Sequence, residues 1–104
     1  MKNTDVKIHV CPITRVAKLL SDTWTMLIMH AFLNDPESPE KRFCELERAL
    51  SGISTRTLTN KLKTLESEGL LEKTDAGTYR ITKRGTGLQI IEDSMRMYEQ
   101  KFLQ

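Results

Sequence analysis

The chain has 104 residues, with 16 basic residues against 14 acidic ones and a formal net charge of +2. Hydrophobic residues make up 38% and charged residues 29%, the balance of one small globular domain with a single core. No apolar run approaches the roughly 20 residues that span a bilayer. The start, Met1-Lys2-Asn3-Thr4-Asp5-Val6-Lys7, lacks the apolar segment of a secretory signal, so a cytoplasmic protein is expected. Two cysteines are too few for a disulfide framework.

Residues 1–10 are polar and unpatterned and read as a flexible N-terminal arm; residues 11–104 read as the folded domain. Pro12 suits the first position of a helix, which places Cys11 at its N-cap, and Val16, Leu19 and Leu20 come next at helical spacing. Ser21-Asp22 offers new capping oxygens for a second helix, Thr23 to about Leu33, whose expected core stripe is Trp24, Leu27, Ile28, Ala31 and Phe32. Asn34 to Glu40, with two prolines and three acids, reads as a loop. A short helix over about Cys44 to Leu50 packs through Leu46 and Leu50, with Cys44 expected to be buried beside Phe43. After the turn Ser51-Gly52-Ile53, Ser54 caps a helix that runs to about Glu68, where Gly69 stops it. Leu70-Leu71 and Tyr79-Arg80-Ile81 flank Thr74-Asp75-Ala76-Gly77-Thr78 as a hairpin, and Thr82 caps a final helix to the C-terminus. The order predicts a mainly α fold with a small β-hairpin wing, the winged helix-turn-helix.

The helix over 54–68 carries the chemistry. Leu58, Leu62 and Leu65 recur at i, i+4 and i+7 and face the core. At 100° per residue the outer side shows Arg56, Asn60, Lys63 and Ser67, with Thr59 flanking and no acid until Glu66 and Glu68 in the last turn; Ser54 and Thr55 at the helix start join Arg56, Thr59, Asn60 and Lys63 as candidate DNA contacts. Arg and Asn make bidentate contacts to guanine and adenine edges, while Ser, Thr and Lys hold phosphates. From Ser54 to Arg84 seven basic residues (Arg56, Lys61, Lys63, Lys73, Arg80, Lys83, Arg84) face four acids (Glu66, Glu68, Glu72, Asp75). That is +3, against −1 for the rest. A solvated helix face is the plain alternative, but the turn, hairpin and charge bias together point to duplex DNA. Arg80, on the outward side of its strand, reads either as a phosphate or minor-groove contact or as a solubilising charge.

In the final helix Leu88, Ile91, Met95, Tyr98 and Phe102 form an a/d seam. Its first turn must pack on the protein's own core. Continued to the last residues, the seam fits a partner helix and a homodimer, and hence an inverted-repeat operator. Cys11 at a helix N-terminus is a candidate redox residue, because the macrodipole stabilises its thiolate; a thiol that serves only packing is the alternative. His9, Cys11, His30 and Cys44 fit no usual metal-ligand spacing, so neither metal nor cofactor is expected. No phosphate loop, nucleophile elbow or triad spacing is present, so no enzyme is expected.

Cys11-Pro12, Trp24, Arg42-Phe43-x-Glu45-Leu46, Gly52-Ile53-Ser54-x-Arg56-x-Leu58-Thr59-x-x-Leu62-x-x-Leu65, Gly69-Leu70 and Thr82-x-x-Gly85 resemble the HxlR-type winged-helix regulators, relatives of the MarR-type repressors. The resemblance implies a dimeric bacterial transcription factor. It also implies that the position of Cys11 senses electrophiles or oxidants in some members. The wing over 74–78 is shorter than is usual in that family, and the loop over 34–40 is longer and more acidic. A winged-helix module that binds proteins and never DNA is the alternative function; it has no need of an acid-free outer face on the helix over 54–68.

Overall fold

The computed structural model describes residues 11–20 and 22–104; the expected arm over 1–10, with His9, lies outside the described residues. Helices α1 (Pro12–Leu19) and α2 (Thr23–Leu33) are followed by strand β1 (Glu40–Lys41), helices α3 (Phe43–Ala49) and α4 (Thr55–Ser67), and strands β2 (Leu71–Lys73) and β3 (Tyr79–Ile81). Helices α5 (Lys83–Thr86) and α6 (Gln89–Tyr98) complete the chain, and α6 continues as a π-helical turn over Glu99–Leu103. The fold is mainly helical with a small antiparallel sheet, as the residue pattern predicts.

The starts of α2, α4 and α5 have a local cause. Asp22 Oδ1 accepts from the Thr25 N–H at 2.8 Å, Ser54 Oγ from Thr57 at 3.0 Å, and Thr82 Oγ1 from Gly85 at 3.0 Å, satisfying donors that the first helical turn leaves unpaired. Helix α4 ends in a Schellman motif: Gly69 donates to Glu66, Leu70 donates to Leu65, and Gly69 takes φ +78°, a conformation that costs other residues a Cβ clash.

The core joins Ile28, Met29 and Phe32 of α2 to Leu46 and Leu50, Leu58, Leu62 and Leu65 of α4, the sheet residues Leu71 and Tyr79, and Leu88. Thr82 and Gly85 lock the sheet to α5. Thr82 Oγ1 donates to the Gly69 carbonyl at 2.6 Å, and a Cβ on Gly85 would lie 2.3 Å from the Leu70 carbonyl oxygen. Only glycine allows that approach.

Five expectations need correction. First, Glu40, assigned to the loop, begins a third strand: β1 pairs with β3, giving the order β1-β3-β2. Its partner lies far away in sequence, so no local pattern announces it. Second, the stripe on α2 is rotated. Ile28 and Phe32 are buried, but Thr25 and Met29 are buried with them, while Trp24 and Ala31 are half-buried and Leu27 is exposed. This helix is apolar on more than one side, so periodicity alone does not select its inner face. Third, Cys44 is exposed, because α3 turns Leu46 inward instead. Fourth, the last helix is interrupted at Gly87 and Leu88 between α5 and α6. Fifth, Leu88 drops out of the expected partner seam: it is buried in the chain's own core with Ile91 packed against it, the part of the first turn that was expected to pack there.

Candidate nucleic-acid interface

On α4 the inward leucines leave Arg56, Asn60 and Lys63 exposed on the opposite side at i, i+4 and i+7. Among the described residues none of these three side chains forms a hydrogen bond or ion pair, so their donors and the Asn60 amide remain available to a ligand. Ser54 and Thr55 are also exposed but engaged. The Ser54 hydroxyl donates to Thr57 Oγ1 at 2.9 Å, and the Thr55 hydroxyl donates to Glu47 Oε2 at 2.5 Å, tying α4 to α3. Thr59 is half-buried and donates to the Thr55 carbonyl at 2.8 Å. Of the six predicted residues, Arg56, Asn60 and Lys63 stand as free polar ends opposite the leucines, Thr59 flanks them, and Ser54 and Thr55 at the helix start are held in its framework.

Helix α4 is pinned from below. Lys61 donates to Asp22 Oδ2, the second oxygen of the carboxyl that caps α2. Lys61 thus contributes to the architecture and not to the outer charge. The Lys61 ammonium, followed by the Thr25 N–H, holds the Asp22 carboxyl below the usual carboxylate range against the opposing effect of burial.

Arg80 faces outward on β3, as alternation predicts, with Tyr79 buried and Ile81 half-buried. Its guanidinium is already occupied: it donates to Glu40 Oε2 at 2.8 Å and to Glu72 Oε2 at 3.4 Å. The sequence reading missed both partners. Glu72 faces Arg80 within the hairpin, a cross-strand pair that the hairpin register would have exposed. Glu40 reaches it only through the unforeseen strand.

The exposed part of the expected seam is Met95, Tyr98 and Phe102, flanked by Ile90, Met97 and Leu103. The Tyr98 and Phe102 rings lie 5.0 Å apart, so the last turns present an exposed aromatic pair. At the base of that surface sits a feature the sequence reading overlooked. Glu92, 6% exposed, holds His30 Nδ1 of α2 at 2.6 Å and is reached by Arg96 at 3.4 Å. The one available signal was an acid falling among the apolar residues on the inner side of the helix.

Cys11 is the N-cap residue of α1 and is half-buried. The backbone N–H groups of Thr14 and Ile13 beside its sulfur, with a smaller contribution from the Thr14 hydroxyl, hold the thiol below its ordinary range. Among the described residues no group of three or more His, Cys, Asp or Glu could hold a metal ion, and no helix is long and apolar enough to cross a membrane.

A family model described as HxlR-like helix-turn-helix matches residues 19–104. The HTH-type transcriptional regulator YodB of Bacillus subtilis is 30% identical over 100 residues, covering 89% of this chain and 86% of the relative. An uncharacterized HTH-type transcriptional regulator of Synechocystis sp. is 32% identical over 87 residues, 78% of this chain; the chain spans 62% of that relative's length. The crystal structure of quinone-bound YodB superposes with a TM-score of 0.79 at 30% identity, covering 89% of this chain and 100% of that one. A MarR-family structure from Porphyromonas gingivalis W83 superposes with a TM-score of 0.78 at 25% identity, covering 94% and 98%.

Proposed function

From the premise that this chain belongs to the HxlR-like helix-turn-helix family of transcriptional regulators, a class without enzymes, we propose that it is a cytoplasmic repressor that binds duplex DNA as a homodimer. The observation that carries this reading is the exposed side of the first three turns of α4, free of acids, where Arg56, Asn60 and Lys63 stand with unengaged polar ends. A helix of this type enters the major groove. Arg56 and Asn60 reach base edges and Lys63 holds the register on phosphates, while Ser54, Thr55 and Thr59 frame the start of the helix and the N-terminus of α4 favours the anionic backbone. A solvated helix face used only for protein contacts has no need of this selection.

The homodimer forms through the apolar surface of Met95, Tyr98 and Phe102, supported by Ile91. Two copies related by a two-fold axis then read an inverted-repeat operator with half-sites about one helical turn, ~34 Å, or a multiple of it apart. Cys11 is the sensing residue for an electrophile or oxidant; its activated thiol at a helix N-cap supports this role, and so does the similarity to a regulator crystallised with a quinone. Modification there adds bulk and polarity at the start of α1 and shifts the spacing of the two reading helices.

The test is fluorescence-anisotropy titration of duplexes from upstream of the protein's own gene and of random-sequence duplex. Wild type binds the former more tightly. The variant with Arg56, Asn60 and Lys63 all changed to alanine loses that preference while keeping its melting temperature. Equal affinities for wild type and variant would overturn the assignment of α4.

A further inference from the structure

The winged sheet places its charges in rows. Glu40, Arg80 and Glu72 are direct register partners across β1, β3 and β2, so all three lie side by side on one face. Arg80 bridges the two carboxylates, and the Thr78 hydroxyl donates to the other Glu40 oxygen at 2.8 Å, fixing that carboxylate in place. The next row of partners is Lys41, Tyr79 and Lys73, and alternation turns it to the opposite face. There Lys41 binds Asp35 at 2.9 Å, and Lys73 lies over the Tyr79 ring at 5.5 Å. The face that shows Arg80 therefore carries two acids and one base in its central row.

Strand β2 begins at Leu71, two residues after Gly69 ends α4, so the sheet flanks the helix assigned to the groove. An arginine there is the natural ligand of a backbone phosphate. Here both directions of approach are already taken by carboxylates, which mimic the phosphate's charge and geometry.

We propose that Glu40 and Glu72 compete with DNA phosphate for Arg80 and thereby hold the wing's contribution to DNA affinity in check. The proposal rests on the DNA-binding reading of α4. Engagement of the wing requires Arg80 to exchange a carboxylate for a phosphate, and it leaves that carboxylate facing the polyanion. DNA recognition by this chain then leans on α4, and Glu40 and Glu72 determine how far the wing adds to it.

The experiment titrates random-sequence and own-upstream duplexes over a salt series with wild type, Glu72→Gln, Glu40→Gln, the double glutamine variant, and that double variant with Arg80→Ala. Melting curves establish that each is folded; Glu72→Gln, at an exposed site with a 3.4 Å contact, retains the fold even if Glu40→Gln does not. Each glutamine tightens binding about three- to fivefold, the scale of an exposed ion pair. The double variant steepens the salt dependence by about one counterion. Arg80→Ala in the double variant abolishes the gain.

Unchanged affinity and slope in the glutamine variants, with wild type binding normally, would overturn the proposal and leave the reading of α4 intact. A gain that survives Arg80→Ala would also overturn it, since acid removal alone would then account for the effect. Failure of every variant, wild type included, to bind duplex would remove the DNA-binding reading and the proposal together.

Discussion

Lys61 on α4 and Asp22 at the start of α2 form an ion pair in which one carboxyl serves two helices, capping α2 through Oδ1 and anchoring α4 through Oδ2. The angle at which α4 presents Arg56, Asn60 and Lys63 thus depends on a residue outside the helix-turn-helix. Asp22→Asn keeps a capping oxygen and removes the charge; Asp22→Ala removes both. The alanine variant is expected to lose about 1 kcal/mol more than the asparagine variant, the usual worth of a cap. The ion-pair contribution also depends on pH. Asp22 ionises more readily folded than unfolded, so its stabilisation is present above the unfolded pKa and is lost as pH falls through the folded value. Denaturant unfolding of wild type and Asp22→Asn should therefore differ at neutral pH and converge in acid.

Single substitutions on α4 separate positioning from reading. Lys63→Ala is expected to weaken binding to all duplexes alike, with the log–log salt slope falling by about one unit. Arg56→Ala is expected to cost about 1–3 kcal/mol on the operator and to relax preference at one or two base pairs. Salt-series titrations on operator and scrambled duplexes distinguish the two patterns.

The exposed aromatic pair near the C-terminus bears on assembly. Replacing Tyr98 and Phe102 by glutamate is expected to yield monomers whose operator affinity drops by about 10²-fold or more, because one module loses the effective concentration of its linked twin. Analytical ultracentrifugation beside the DNA titration checks both halves of this expectation. Leu88→Glu, by contrast, is expected to unfold the protomer, since that side chain is in its core.

Cys11 is expected to react with iodoacetamide at a pH below that of an ordinary thiol, because neighbouring N–H groups favour its thiolate. Mass-resolved alkylation across a pH series, in wild type and Cys44→Ser, reads this directly. Release of operator DNA by diamide or a quinone should persist in Cys44→Ser and vanish in Cys11→Ser. Equal release in all three proteins would make Cys11 a packing residue.

Gly85→Ala is expected to destabilise the fold by about 1–3 kcal/mol, the usual cost of overpacking, since the added methyl meets the Leu70 carbonyl. Thermal unfolding measures it. Gly77→Ala probes a different quantity: its added methyl meets nothing within 4 Å, so any loss there reports its φ of +85° alone.

The amino-acid sequence by itself determined the features that local periodicity and capping control. Leu58, Leu62 and Leu65 place the inner side of α4, and its outer side is then set by geometry within one helix. Ser54, Gly69 and Thr82 mark boundaries through hydrogen bonds that span only a few residues. The tertiary structure decided the features that depend on partners distant in the chain. Helix α2 offers apolar residues on several sides, and only packing against α3 and α4 turned Met29 inward and Leu27 outward. The surroundings of Arg80 were the least legible, because Glu40, 40 residues earlier, meets it through a two-residue strand too short to show a pattern. An alternation in a strand tells which way a side chain points; the charge it meets there is set by the neighbouring strand, whose register only the folded sheet supplies.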